Sequence, residues 1–199
     1  MAAPTKTAGT VLLAMQTLAA ASKLVGAAVD VSTKLAATVH IRCGRNQEAA
    51  LTVGAKFRVE MSEFEAGDGG WVPVTTFQTA IAAASSEILT AAEAPGQTTL
   101  ELASTTGLAA GDTILILNTN ALNSEFARII AIANNASITV EEGIINTQTG
   151  STVYDQAEWF SPVMIPETAK RVRVVVDNLG NATQAVTFDA YLCTVDTFE

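Results

Sequence analysis

One histidine, two cysteines, two tryptophans and two tyrosines in 199 residues leave little from which to build a reactive centre. A zinc site needs paired Cys or His ligands, and Cys43, Cys193 and His40 supply neither the number nor the spacing. His40 falls in "TVHIRC" between Val39 and Ile41. A strand of that pattern turns the imidazole away from the apolar face, so it reads as a surface or interface histidine rather than a general base. A carboxylate pair of the glycosidase kind would bring more aromatic residues with it. "GDGGW" lacks the Gly-Lys-Ser/Thr ending and the following helix of a phosphate-binding loop. "EAGDGG" and "VEEGI" put carboxylates beside glycine turns without the alternating spacing of a calcium loop, and read as solvated turns. The expectation is a chain that is not an enzyme, with no catalytic, cofactor-binding or metal residues.

Two cysteines are too few for a disulfide framework. They read as buried reduced thiols, a single bridge between the first and last strands being the alternative. No apolar run reaches the roughly 18 residues of a membrane-spanning helix, because Lys23, Asp30 and Lys34 interrupt the N-terminal third. "TVLLAMQTLAAAS", behind Lys6, imitates a secretory signal, but we read it as an intact N-terminal arm. Basic residues are also scarce. The net charge of −9 disfavours nonspecific contact with nucleic acid or anionic membrane. The deficit is local: residues 84–160 hold nine acids against Arg128 alone, while the flanks hold eleven acids and ten bases.

What is present is apolar residues at strand spacing. Residues 28–33, 37–44 and 55–63 alternate apolar with polar. In the third run Phe57, Val59 and Met61 face one way and Lys56, Arg58 and Glu60 the other, the period of a half-buried strand. A glycine-rich turn leads to residues 71–79, where Pro73 demotes the strand to an edge or a bulge. The style returns at 170–178 and 184–198, joined by "NLGNAT", which reads as a hairpin connection. The flanks thus predict an antiparallel, jelly-roll-like β-sandwich built from residues 28–83 plus 161–199. Residues 1–27 are a helix or an extended arm, since alanine and leucine favour helix and no proline intervenes.

Residues 84–160 form an inserted acidic domain. The segment that leads into it, 82–97, is poor in bulky side chains and reads as a hinge or short helix. Strand-length runs follow at 98–105, 112–118, 125–133, 137–144 and 151–155, separated by turn residues, and predict a small β-barrel or sandwich. Glu125 and Arg128 read as ordinary, partly exposed strand residues.

Five residues are candidate partner contacts. Lys170, Arg171 and Arg173 form the one basic cluster. Arg171 and Arg173 share a strand face and suit an acidic neighbour, but lack the interleaved aromatics of a nucleic-acid surface. Trp71 and Trp159 lie at the two ends of the insertion and read as plugs of the core or of an interface.

The strand motifs at residues 29–32, 45–46, 57–62 and 68–77, with the closing "RVRVVVDNLGNATQAVTFDAYL", resemble small structural proteins of tailed-bacteriophage virions of the decoration or cement type. Within the insertion, the matches at 98–116, 125–132, 138–140 and 149–155 are similar to a β-module associated with phage fibre, baseplate and capsid-surface proteins. The first resemblance covers somewhat more than half the chain. It implies a protein of the virion, assembled in the host bacterial cytoplasm, with no nucleic acid or membrane partner. Such a homo-oligomer would bind the major capsid protein or neighbouring structural subunits through its sandwich and arm, and project the acidic domain outward. A neck, tail or baseplate component or a host-facing binding module is the alternative, and a secreted enzyme or carbohydrate-binding protein a more distant one.

Overall fold

The computed structural model describes residues 6–67, 69–133 and 135–196. The first five residues of the arm, Asp68 of the glycine-rich turn and Phe198 at the end of the last expected strand lie outside them. The described residues hold eighteen strands, one 3-10 turn over Ala121–Asn123 and no α-helix. The first six strands are β1 (Lys6–Leu18), β2 (Lys23–Val25), β3 (Val29–Asp30), β4 (Lys34–Arg45), β5 (Lys56–Ser62) and β6 (Trp71–Gln78). Then come β7 (Ser86–Ile88), β8 (Ala92–Glu93), β9 (Thr99–Glu101), β10 (Thr113–Leu117), β11 (Glu125–Ala133), β12 (Ser137–Val140), β13 (Gln148–Thr149) and β14 (Thr152–Tyr154). The chain closes with β15 (Glu158–Trp159), β16 (Val163–Ile165), β17 (Arg171–Asp177) and β18 (Val186–Asp196).

Early and late strands make two facing antiparallel sheets, an antiparallel β-sandwich. One runs β1-β18-β4-β15, with β16 also on β4; the other runs β2-β17-β5-β6, with β3 also on β17. Strand alternation fills the space between them. Val39, Ile41 and Cys43 of β4 and Phe188, Ala190 and Leu192 of β18 meet Phe57 and Val59 of β5 and Val172, Val174 and Val176 of β17 in one core. Phe57 touches Phe188 edge-on at 5.6 Å between ring centroids, and Phe160 stacks on Phe77 at 4.8 Å. Removing a ring as buried as that of Phe57 costs about 3–5 kcal/mol. The outward positions of β5 are polar as its alternation predicts, and β6 is the sheet edge, with a register shift where Glu60 meets Pro73.

Three local expectations change, and the choice left open for the arm, helix or extended, falls to extended. The alanine-rich arm is strand β1, paired with β18 of its own chain. Leu12 and Leu13 enter the sandwich core and Met15 a second cluster, so burial overrides intrinsic helix propensity. The strand expected at 28–33 shortens to the two residues of β3. "NLGNAT" is an arch between sheets rather than a hairpin, because β17 and β18 lie in opposite sheets. Its asparagines supply the reason: Asn181 accepts from the amides of Thr52 and Val53 and donates to Val53 O and Asn178 Oδ1, while Asn178 donates to Ala19 O and Gln184 O. Residues 82–97 are neither hinge nor helix but extended chain carrying β7 and β8.

The middle strands form a sheet in the order β7-β14-β10-β11-β12-β9. Beyond its two edge strands, Leu89 bridges Leu102, Thr90 donates to Glu101 O and Ala103 to Ile88 O. The sheet therefore closes on itself as a small barrel, filled by Leu100, Ile114, Ile116, Ile129, Ile138 and Val153.

Cys43 lies opposite Phe188 and Cys193 opposite Thr38 on the same strand pair, but Cys43 is buried and Cys193 exposed, and both are free. Side chains on opposite faces of a sheet cannot bridge, and the expectation that both thiols are buried fails for Cys193. Burial, with a smaller contribution from Glu158, pushes the Cys43 thiol well above its ordinary value. In the native protein one thiol per chain should react quickly with a maleimide and the second only after unfolding; Cys193→Ser should abolish the fast reaction, as read by mass spectrometry of the labelled chain.

Candidate interaction surfaces

The five candidate contacts divide between the two sheets. On the outer face of the β17 sheet, Trp71 lies beneath Arg173 and Arg171, their guanidinium carbons 4.1 and 5.0 Å from the ring centroid. Both charges are already engaged. Arg171 donates to Phe64 O and Gly67 O at 2.8 and 2.7 Å, and Arg173 pairs with Glu60 at 2.8 Å. Lys170 uses its backbone to tie Ser62 to Val31. Arg171, Arg173 and Trp71 are thus brought together as a buttress for the turn at 63–67, while Lys170 precedes β17 in the chain.

Trp159 belongs to the other sheet, opposite Arg42 on β4, and is 50% exposed. Neither tryptophan joins a core cluster, so neither is a core plug. Trp159 stands in a groove of about 700 Å³ that it lines with His40, Arg42, Phe160, Pro162 and Tyr191. Even-numbered positions of β4 turn outward, which sets His40 and Arg42 in this groove. A second cavity of about 340 Å³ shares Arg42 and Trp159 and continues along the barrel past Phe126, Arg128, Glu141, Glu142 and Ile145.

Arg42 is the residue that sequence reasoning missed. It donates to both carboxylate oxygens of Asp189, which has no exposed surface, and its guanidinium lies 5.2 Å from the ring centre of Phe126 and 5.5 Å from that of Tyr191. Burial works against its charge, but the hydrogen bond and charge of Asp189 outweigh it and the guanidinium is held protonated above its ordinary value. Burial, then the Asp189 charge, raises the Tyr191 hydroxyl. The available signal was an aspartate inside the apolar run "VTFDAYL": a charge in a central strand needs a partner.

Barrel and sandwich are joined at this end. Leu115 and Phe126 of the barrel pack with Met15 of β1 and with Ala157. Gly44 makes the approach possible, since a Cβ there would stand 2.7 Å from Leu115 Cβ and 3.1 Å from the Phe126 ring. The chain enters and leaves the barrel through one clasp, in which Ser85 N donates to the Asp155 carboxylate at 2.6 Å and Asp155 N to Ser85 O at 3.1 Å. Glu125, expected to be partly exposed, is buried and accepts from the amides of Ile145 and Asn146 and from Gln148 Nε2. Arg128 is exposed, as its spacing predicts. Among the described residues no three His, Cys, Asp or Glu side chains converge in a metal-binding group, and no helix is long and apolar enough to cross a membrane.

No protein-family model and no curated protein matches the chain. Among solved structures it is similar to VP17, a capsid protein of bacteriophage P23-77, at 9% identity and a TM-score of 0.20, over 98% of this chain and 100% of that one. A likeness of that size is too small to carry function from one chain to the other.

Two outcomes follow from the junction. Gly44→Val should destabilise the protein by about 1–3 kcal/mol through overpacking, seen as an earlier denaturant midpoint, whereas Gly69→Ala, where an added Cβ meets nothing within 4 Å, should leave it unchanged. Burial raises the Asp155 carboxyl above its ordinary 3.8, against the hydrogen bond from Ser85. A carboxyl raised in the folded state weakens folding once ionised, and that loss is recovered as the pH falls through the folded pKa toward the unfolded one. Asp155→Asn keeps an acceptor for Ser85 N and removes the charge. Its melting temperature should exceed that of the parent at pH 7, with the gap closing by pH 4.

Proposed function

We propose that this chain is a structural, non-catalytic protein of a tailed-phage virion, a decoration or cement protein acting as a symmetric oligomer on the assembled head. The observation that carries the reading is the segregation of charge between two modules. Nine of the twenty acids occupy the inserted segment with a single base, while the sandwich is nearly balanced. A strongly charged module suits the outward side of a shell, and a balanced sandwich with an apolar outer groove suits the lattice side. The motif resemblance to decoration proteins supports the same assignment. Many copies, each with modest affinity, would hold a lattice together by avidity.

The test is to add the purified chain to expanded, undecorated heads of a phage that encodes it. The expected result is saturable binding over the whole lattice, with a rise in the melting temperature of the heads. Attachment at one vertex or on the tail alone would move the assignment to a neck, tail or baseplate part, and failure to join any part of the particle would overturn the virion reading.

A further inference from the structure

The two cavities that meet at Arg42 and Trp159 form one trough along the line where barrel and sandwich join. Its ends differ in character. At the sandwich end Trp159, Phe160, Pro162 and Tyr191 offer aromatic and apolar walls, with the exposed thiol of Cys193 at the same site. At the barrel end the wall carries the exposed carboxylates of Glu141 and Glu142, with Ile145 79% exposed on the rim.

Charge accounting decides what such a trough accepts. The guanidinium of Arg42 is neutralised by Asp189, and the Glu125 carboxylate is engaged by three N–H donors. Arg128 is the one base on the barrel wall, and none of the ion pairs of the described residues involves it. Glu141 and Glu142 therefore leave that wall with an excess of negative charge, on a module whose net charge is itself strongly negative. An acidic ligand is repelled there, and a neutral apolar one leaves the carboxylates without partners. The complementary occupant is elongated, apolar at one end and basic at the other.

We propose that the trough is a docking groove for an extended segment of a partner protein, whose apolar side chains lie against Trp159 and Tyr191 and whose Lys or Arg side chains lie against Glu141 and Glu142. Trp159 is the anchor: half-exposed indoles in a concave site are among the residues that dominate binding energy. The inference stands on the groove and does not require the virion reading, since a chain that fails to join heads can still bind such a segment, and a chain that coats heads by another face can fail to.

The probes are synthetic peptides, each with a Leu-Pro-Leu run joined to Lys-Arg-Lys in either order, a version with Glu-Asp-Glu in place of the bases, and a version with Gly-Ser in place of the apolar run. Binding is read on the full chain by intrinsic fluorescence and by the rate at which iodoacetamide modifies Cys193. The basic apolar peptide should bind, slow the alkylation of Cys193, and weaken as salt rises. Trp159→Ala should reduce its affinity about tenfold or more, and Trp71→Phe should leave it unchanged. Because Glu141 and Glu142 are exposed, the double change Glu141→Gln with Glu142→Gln should fold normally, lower affinity, and flatten the salt dependence. Equal binding of the Glu-Asp-Glu peptide, or absence of Cys193 protection by every peptide, would overturn the proposal. So would protection of Cys193 by maltoheptaose but not by the peptides, which would make the trough a glycan site.

Discussion

The ladder between β4 and β18 is the constraint on which the molecule depends. It pairs Lys34 through Arg45 with Asp196 through Val186, and β18 pairs on its other side with β1, so the last strand of the chain is central in its sheet. No part of that sheet can form until chain more than a hundred residues away has arrived. The entropic cost grows slowly, since each doubling of a loop adds only about 0.6 kcal/mol. A barrel can therefore sit between the two strands at little thermodynamic expense, provided that its ends return to nearly the same place. The Ser85–Asp155 clasp meets that condition. Topology of this kind makes folding slow rather than weak.

Where the modules and sheets join, buried polar groups set position. The Asp189 carboxylate, which has no exposed surface, is paired with Arg42, and Arg42 in turn lies against Phe126 of the barrel. Asn178 and Asn181 hold the arch between sheets by satisfying amides and carbonyls from three other segments. Arg45 Nη2 donates to Ala80 O while the Glu158 carboxylate accepts from Ala80 N, bracketing the peptide that leads into the barrel. Such contacts contribute modestly to net stability, but misplacing any of them leaves a desolvated group unpaired. Hydrophobic burial makes the cores, and these pairs fix where one core sits against the next.

That division explains what the sequence could and could not reveal. Alternation is a local property, so the faces of β5, the polar outward positions of β17 and the strand runs of the barrel were legible from spacing alone, as was Pro73 at a sheet edge. Pairing is not local. The glycine and asparagines of "NLGNAT" serve a hairpin and an inter-sheet arch equally well, and the difference lies in Thr52 and Val53, far away in the chain. The arm invited a helix because its alanines hide the fact that Leu12, Leu13 and Met15 all find cover, on both sides of an extended strand. Glu125 carried no local mark of burial, since the amides it binds come from a turn twenty residues on. Of the candidate contacts, the basic cluster and Trp71 were found by composition, but their engagement with Glu60 and the turn carbonyls was not foreseeable. Trp159 was found for its position at the end of the insertion and His40 for its outward place on its strand, but that the two meet Tyr191 was not foreseeable, because the three come from strands far apart in the chain.

The trough is a property of the junction and of neither module alone. Its aromatic end is built on sandwich strands, its acidic end on barrel turns, and Arg42 lines both while binding Asp189 behind it. The fit of the barrel on Gly44 thereby sets the separation between an apolar anchor and a pair of carboxylates. Acidity that served only solubility could be spread over the whole surface at no cost. Concentrating it on a module whose base touches an open aromatic groove adds direction, because the carboxylates of Glu141 and Glu142 then stand beside that groove. Packing at Gly44 and the Arg42–Asp189 pair join the barrel to the sandwich at its base, and the less a groove must be ordered on binding, the more of its contact energy appears as affinity.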